Sequence, residues 1–474
     1  MRNLYKISIF YILLTISNFT SFAQTPKIIE FGWDYPHVDQ LSKGLSKMQN
    51  TPFDGICFSL QRGIMEAFDT VLNKENYFEY NNLKTLQWGK YTDNFILLLG
   101  YGQTGGHWLE DGPWKVIIEN MEGLSKAMKG GAIKGILFDP EYYLENPLNN
   151  PWTYNKTQYP NHSFKSVQSM VKKRGIQFIR ALQKSRSTFS FLSLWMTGLI
   201  EADMKNLPLE NTRQALLVSF IEGVLEGKNK TVTVIDGNEN AYWYSSPSQF
   251  LESTVNFKKN MALLMTSKKA ISAVRDIELA QPVFYDGLMA LAPEFERRLN
   301  NINKWKWLEE NTKHAMVFSD RYVWFYSQRI DWWKSKPNDT LIQILKNSKL
   351  GFNSASFFKK ENKVSLKRAA INTVSERIEK GYFYSNHPKA PWRTEQVAFT
   401  FQWIAGAKTL QINFVDRVPE SIIVFANNIL FELSTHKVST MKVNLRKFNK
   451  GKITVLAKYG NGVEAFGVQV YKGQ

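Results

Sequence analysis

Eight short apolar segments separated by helix-length stretches, followed by a run of alternating β-rich segments, predict an α/β chain: a (β/α)8 TIM barrel followed by a C-terminal antiparallel β-sandwich domain. Three observations lead there. The apolar segments recur with helical patterns between them, which is how parallel strands and their crossover helices read in sequence. They span about 310 residues, which suits eight β/α units with insertions. Beyond residue 380 the apolar period changes to two, the period of half-buried antiparallel strands.

The first strand is expected at Ile28–Trp33, followed by a helix over Val38–Met48. The second and third strands are expected at Gly55–Leu60 and Phe95–Gly100, and the fourth at Gly135–Asp139, after a helix across Val116–Met128. Two long amphipathic helices frame the fifth, Phe189–Trp195, and Thr231–Asp236 is the sixth. The seventh, Gln281–Tyr285, contains Pro282, which lacks a ladder donor, so a doubly wound open sheet stays as an alternative. Tyr322–Ser327 is the eighth. No G-x-G-x-x-G follows the first strand and no G-x-x-x-x-G-K-[ST] occurs, which leaves a nucleotide-binding open sheet without support.

The expected organisation is a signal peptide over 1–23, a catalytic barrel over 24–335, a basic connecting segment over 336–380 with one or two helices, and a β-sandwich accessory domain over 381–474. The leader is read from Arg2 and Lys6, the apolar stretch Ile7–Ile16 and the Ser21-Phe22-Ala23 cleavage pattern, and it predicts a protein secreted to the periplasm or beyond. Within the last domain, Asn427-Asn428 and Asn461-Gly462 are expected turns.

The chain carries 60 Lys+Arg against 42 Asp+Glu, a net charge of +18 that becomes +16 once Arg2 and Lys6 leave with the leader. Such a surface attracts anionic polymers at long range, so an anionic polysaccharide is the favoured charged partner. Because the basic residues are dispersed and not interleaved with aromatics in one patch, no nucleic acid is expected. The single cysteine, Cys57, excludes an intramolecular disulfide and any cysteine-rich metal site, and the scattered histidines contain no H-E-x-x-H, so neither metal nor cofactor is predicted. Cys57 also lies mid-strand among apolar neighbours and no G-x-S-x-G occurs, which leaves nucleophilic Ser or Cys catalysis unsupported. His37 and His107 are placed to reach the barrel mouth as surface or substrate-bonding groups.

A barrel of this kind builds its site at the carboxyl ends of its strands. There the sequence places Trp33, Asp34 and Tyr35, then Arg62, Tyr101, Asp139, Glu141, Tyr142 and Tyr143. Further along come Trp195, Asp236, Asn238, Glu239 and Tyr242, then Tyr285, Asp286, Tyr326, Gln328 and Trp332. Rings beside carboxyls suit a sugar, whose C–H faces pack on aromatics and whose glycosidic bond is cleaved by paired carboxyls. Trp33, Asp34, Arg62, Tyr142, Trp195, Tyr242, Tyr285, Tyr326, Gln328 and Trp332 are therefore the expected substrate contacts.

In Gly135-Ile136-Leu137-Phe138-Asp139-Pro140-Glu141-Tyr142, Asp139 and Glu141 are two apart, so extended backbone sends both to one face. Two close carboxyls do not both ionise easily, and one pKa is expected to rise, which suits a general acid. Glu141 is the expected acid and Asp139 its charge partner, with Asp236 or Glu239 as a second carboxylate. The competing reading is a D-P-E turn in which Asp139 caps the next segment and Glu141 is solvated.

This octapeptide resembles the D-G-x-D-x-D-x-E motif of chitinase-like glycoside hydrolases at Gly135, Asp139, Glu141 and Tyr142, and departs from it at Leu137 and Pro140. The resemblance implies a barrel glycosidase with its acid at Glu141 and a preceding Asp assisting the substrate. The expected function is a secreted glycoside hydrolase. A non-catalytic glycan-binding protein on the same barrel is the alternative, because Gln328 stands where a last-strand catalytic Glu could have been and an amide cannot take its place.

Overall fold

The computed structural model describes residues 26–60, 66–72, 76–244, 247–286, 304–335, 338–353, 380–384, 394–402, 409–414, 418–419, 421–426, 429–434, 439–444, 452–463 and 468–473. The leader expected at 1–23 lies outside the described residues. Among the described residues no helix is long and apolar enough to cross a membrane.

One sheet holds strands β1 (Lys27–Gly32), β2 (Gly55–Phe58), β3 (Asn94–Leu99), β4 (Ile133–Asp139), β5 (Ser190–Ser193), β6 (Thr233–Asp236), β7 (Glu278–Leu279), β8 (Gln281–Phe284) and β9 (Tyr322–Ser327). Their order is β7-β6-β5-β4-β3-β2-β1-β9-β8, every pairing parallel. The two edges, β7 and β8, are halves of one strand joined through Ala280, so the sheet curls into a nearly closed barrel with its seam at that break. This order excludes the doubly wound alternative. It also explains Pro282: the Ala280 N–H bonds to Asp236 O on β6, and Pro282, two residues on, faces the same side past the end of β6, where no carbonyl awaits a donor.

Strand alternation sorts the walls. Phe138 packs on Phe178 and Phe220, which belong to the helices Phe164–Leu182 and Leu217–Gly227, so its row faces outward and Leu137 and Asp139 face the lumen. In register with Phe138 stands Ser193, and with Ser193 stands Asp236, so Asp236 faces outward too. The lumen is filled by rings from several strands: Phe31 packs on Trp324 and Tyr326, Phe95 on Tyr322, and the Trp324 indole donates across to Gly237 O at 2.8 Å. Cys57 is fully buried in this wall and burial pushes its thiol up.

A second aromatic cluster anchors the loops that carry the site. Phe68 meets Trp108, Trp114 and Trp152, and the Trp108 indole donates to Pro151 O at 2.8 Å, tying the loop after β3 to the loop after β4. The buried Arg174 braces it, donating to Trp108 O at 3.1 Å and to Asp111 at 2.7 Å.

Glu30 breaks the apolar run of β1 and lies in the layer between strands and helices, in register with Ile56 and Phe325. It is 0% exposed, no donor reaches its carboxyl oxygens among the described residues, and its own carboxyl proton is shared with the neighbouring Asp34 carboxyl. Burial first, then the charge of neighbouring Asp34, push its pKa well above the usual carboxylate range. A group raised in the folded state contributes stability that is present below its unfolded pKa and lost as pH rises through the folded value. Glu30→Gln is therefore expected to stabilise the fold by about 1–3 kcal/mol at pH 7, with the difference closing near pH 4, read as melting temperature against pH. An equal gain at both pH values would assign the effect to packing instead.

The helix Asp339–Asn353 occupies part of the expected connecting segment. Beyond it, antiparallel strands form two sheets: Lys380–Tyr384, Thr394–Gln402, Lys452–Val463, Ser421–Ala426 and Ile429–Ser434 in one, and Thr440–Asn444, Thr409–Phe414 and Val468–Gly473 in the other. Lys380–Tyr384 was not anticipated from the sequence. Asn461 and Gly462 lie within the strand Lys452–Val463, in the stretch between Lys458 and Val463 where the register with Thr394–Gln402 shifts, so the chain bulges there and does not reverse. The other expected turn, Asn427-Asn428, lies outside the described residues.

Candidate active site

The mouth of the barrel is built first by β4. Asp139 ends the strand facing the lumen, is 3% exposed, and accepts the Glu141 N–H on Oδ1 at 3.0 Å. That is the Asp-Pro turn geometry, and it leaves Glu141 exposed at the rim. The Tyr143 hydroxyl lies 2.8 Å from Asp139 Oδ2 and 2.8 Å from Glu141 Oε2. One phenolic proton serves one carboxylate at a time, so the second short contact calls for a proton held between the carboxyls. Burial raises Asp139 to about 7, against the lowering effect of the Glu141 N–H and the Tyr143 hydroxyl. The carboxyl of this pair that rises through burial is thus that of Asp139.

The second wall comes from β6. Gly237 turns the chain tightly, since a Cβ there would stand 2.6 Å from Leu194 O. Asn238 then adopts the left-handed conformation at φ 46°, and its amide bonds Gln281 at 2.7 Å and Ser253 at 3.2 Å. This turn starts the short 3-10 helix Glu239–Trp243 and brings Glu239 within electrostatic reach of Asp139 and Glu141. Burial first, and then the charges of Asp139 and Glu141, push Glu239 well above the usual range, and its Oε2 has no hydrogen-bond partner among the described residues. The three carboxyls therefore share one electrostatic environment.

Rings line this space. Trp33 is 52% exposed and meets Tyr143 edge-on with centroids 5.4 Å apart, while Tyr101 packs against Tyr142 at 5.7 Å and Tyr143 at 6.3 Å. Tyr242 lies stacked on Tyr326, centroids 5.2 Å apart and planes within 10°. The Gln328 amide donates to the Tyr326 hydroxyl at 3.3 Å, and its backbone N–H is held by Asp286.

The structure thus brings together Trp33, Asp139, Glu141, Tyr142, Glu239, Tyr242, Tyr326 and Gln328 from four strand ends, and Tyr143 joins them as the group that bridges the acidic pair. Other expected contacts stand elsewhere. Asp236, on the outer side of the wall, and the buried Trp195 line a cavity of about 400 Å³ that Glu239 also lines. Asp34 belongs to a second cavity of about 420 Å³, and its Oδ2 accepts the Trp332 N–H at 2.8 Å. Trp332, 3% exposed, packs on Phe53 at 4.7 Å, and Tyr285 lies against Phe325, so both belong to the layer between strands and helices. Strand alternation accounts for the difference, since Phe325 lies between the lumen-facing Trp324 and Tyr326 and faces the helices. Arg62 lies outside the described residues. His107 is held within its own loop by Thr104 and Glu110, and His37 by Ser59 at 2.6 Å. Glu30 escaped sequence reasoning because its strand is otherwise apolar. The sign available was that single charge among Ile28, Ile29 and Phe31.

Among the described residues no group of three or more His, Cys, Asp or Glu side chains converges as a metal site would require. No family model matches the sequence, and no curated protein matches it. Among solved structures the chain is similar to a glycoside hydrolase family 44 endoglucanase from Clostridium acetobutylium, with 10% identity and a TM-score of 0.30 over 86% of this chain and 94% of that one. It is similar also to a family 44 xyloglucanase from Paenibacillus polymyxa, at 9% and 0.29 over 92% of this chain and 100% of that one. For a family 31 α-xylosidase from Xanthomonas citri the values are 9% and 0.37, and the similarity covers 91% of this chain but 46% of the enzyme's length.

Proposed function

We propose that the chain is a glycoside hydrolase acting on a poly- or oligosaccharide at the mouth of the barrel. The observation that carries this is the raised carboxyl of Glu239, whose Oε2 has no hydrogen-bond partner among the described residues, within electrostatic reach of the Asp139–Glu141 pair and of the Tyr326 ring, beside the packed rings of Trp33, Tyr142 and Tyr143. Glycosidic cleavage needs one carboxyl that keeps its proton near neutrality and one that carries charge. Glu239 meets the first need, because burial and two neighbouring carboxyls disfavour its ionisation. We therefore give it the role of general acid to the leaving oxygen, in place of the Glu141 expected from the motif.

Glu141, exposed at the rim and oriented by the Tyr143 hydroxyl, supplies the charged partner as nucleophile or base. Asp139 serves both, with Oδ1 fixing the turn that presents Glu141 and Oδ2 holding Tyr143. Asp236 has no place in this pair, since it stands outside the wall. The rings offer apolar faces for the sugar's C–H bonds and the polar edges for its hydroxyls. The leader-like N-terminus favours action after export, and the +16 charge favours anionic chains held on the outer surface by long-range attraction.

A second reading, a glycan-binding protein without turnover, draws on one observation: the group at the end of the last barrel strand is the neutral Gln328, at the mouth beside Tyr326. Release of reducing ends from a panel of neutral, uronate-bearing and sulfated glycans tests both. Turnover on any of them is the expected result. Binding without release across the panel would favour the second reading.

A further inference from the structure

Behind Glu239, on the outer side of the barrel wall, lies the cavity of about 400 Å³, within the range of small-ligand pockets. Trp195 and Phe257 form its apolar wall. Its polar wall is acidic: Asp236, Glu201 and Glu239 all line it. Glu201 is fixed, accepting from Thr197 at 3.1 Å on one oxygen and from Asn260 at 2.8 Å on the other. Asp236 is 5% exposed and accepts the Asn238 N–H on Oδ1 at 2.9 Å. Burial first, and then the charge of Glu201, raise it to about 7 despite that bond. Glu239 adds an oxygen that is buried and without a hydrogen-bond partner among the described residues.

Among the described residues no cation on this lining pairs with the acids. Lys205, on the same cavity, is exposed and makes no ion pair with them among the described residues. Buried carboxyls raised by desolvation gain most from a ligand that brings the missing cation with it, because such a ligand both replaces lost solvation and favours the charged form. An anionic ring would meet repulsion in the same place. The protein is strongly basic overall, yet it concentrates acids here, so the charge preference of this cavity is opposite to that of the outer surface.

We propose that this cavity is a subsite for one sugar ring bearing a protonated amine, the ammonium held between Asp236 and Glu201, a ring hydroxyl at Glu239 and the carbon face of the ring against Trp195. That the amine is carried by a sugar rests on the glycosidase reading, whereas the preference for a cation follows from the lining alone. Because Glu239 belongs both to this cavity and to the mouth, a ring seated here abuts the proposed point of cleavage.

The test is titration calorimetry of the full chain at pH 7 with glucosamine, glucose and glucuronic acid. Glucosamine is expected to bind saturably and at least tenfold more tightly than glucose, with glucuronic acid giving no saturable signal. Asp236→Asn keeps an oxygen for the Asn238 N–H and is expected to weaken glucosamine about tenfold. Glu201→Gln serves as the second variant, and circular dichroism checks that both fold. Equal binding of glucose, no saturable binding of glucosamine, or glucosamine affinity unchanged in both variants would overturn the proposal. Failure of the wider reading is seen separately: a chain that binds glucosamine but releases no reducing ends keeps the cavity and loses the glycosidase. A chain that hydrolyses glycans but ignores glucosamine does the reverse.

Discussion

Glu239→Gln is expected to lower turnover on an oligosaccharide by about 10²–10⁴-fold, the contribution of a positioned general acid, with KM within a few-fold of wild type. The substitution is close in size and leaves the turn at Asn238 in place, because that turn is held by Gln281 and Ser253 and not by the Glu239 carboxyl. Leaving-group dependence identifies the role. A sugar leaves as a poor alkoxide and needs the proton, whereas a nitrophenolate leaves without help. On a nitrophenyl glycoside the same variant should therefore lose only about tenfold, a small part of the full acid contribution. The alkaline fall of kcat/KM in the wild type reports deprotonation of the acid in the free enzyme, so the Glu239 contribution to that limb should vanish in the variant. Equal losses on both substrates would remove Glu239 from the acid role and return it to the Glu141 position read from the motif.

How far sequence alone reached depended on the range of the interactions involved. Asp139 was legible because alternation along Gly135–Asp139 and the end of an apolar run are local features, and the strand ends where they indicated. The ring of strands was legible for the same reason. Its seam was not, because the break at Ala280 and the tolerance of Pro282 depend on where β6 stops, some forty residues earlier in the chain. The choice between Asp236 and Glu239 was equally out of reach. It turns on strand parity, which faces Asp236 outward, and on a single left-handed residue, Asn238, after which Glu239 comes within electrostatic reach of Asp139 and Glu141. Composition did not reveal the acidity of the site, since a net charge of +18 describes the surface average and not the barrel mouth. Aromatic content alone did not separate Trp332 and Tyr285 from the lumen-facing rings, for a related reason. Both lie within a few residues of lumen-facing rings, but the one-residue parity of a strand sends neighbouring side chains to opposite sides.

Glu141→Gln is the complementary case, and its expected loss of about 10²–10⁴-fold should be the same for oligosaccharide and nitrophenyl glycoside, because a charged partner is required whatever the leaving group. The pH profile carries a further consequence. Glu239 is raised by burial and by the charges of Asp139 and Glu141, so removing the charge at position 141 relieves part of that rise. A lower pKa means that Glu239 gives up its proton at lower pH, and the alkaline limb of the residual activity should move to lower pH than in the wild type. Asp139 should move the same way, since the charge of Glu141 also contributes to its rise to about 7. A solvated Glu141 with no electrostatic link to the mouth would leave the limb where it was, and full activity in the variant would reduce the Asp139–Glu141 pair to the structural turn that the Asp139 Oδ1 bond already makes.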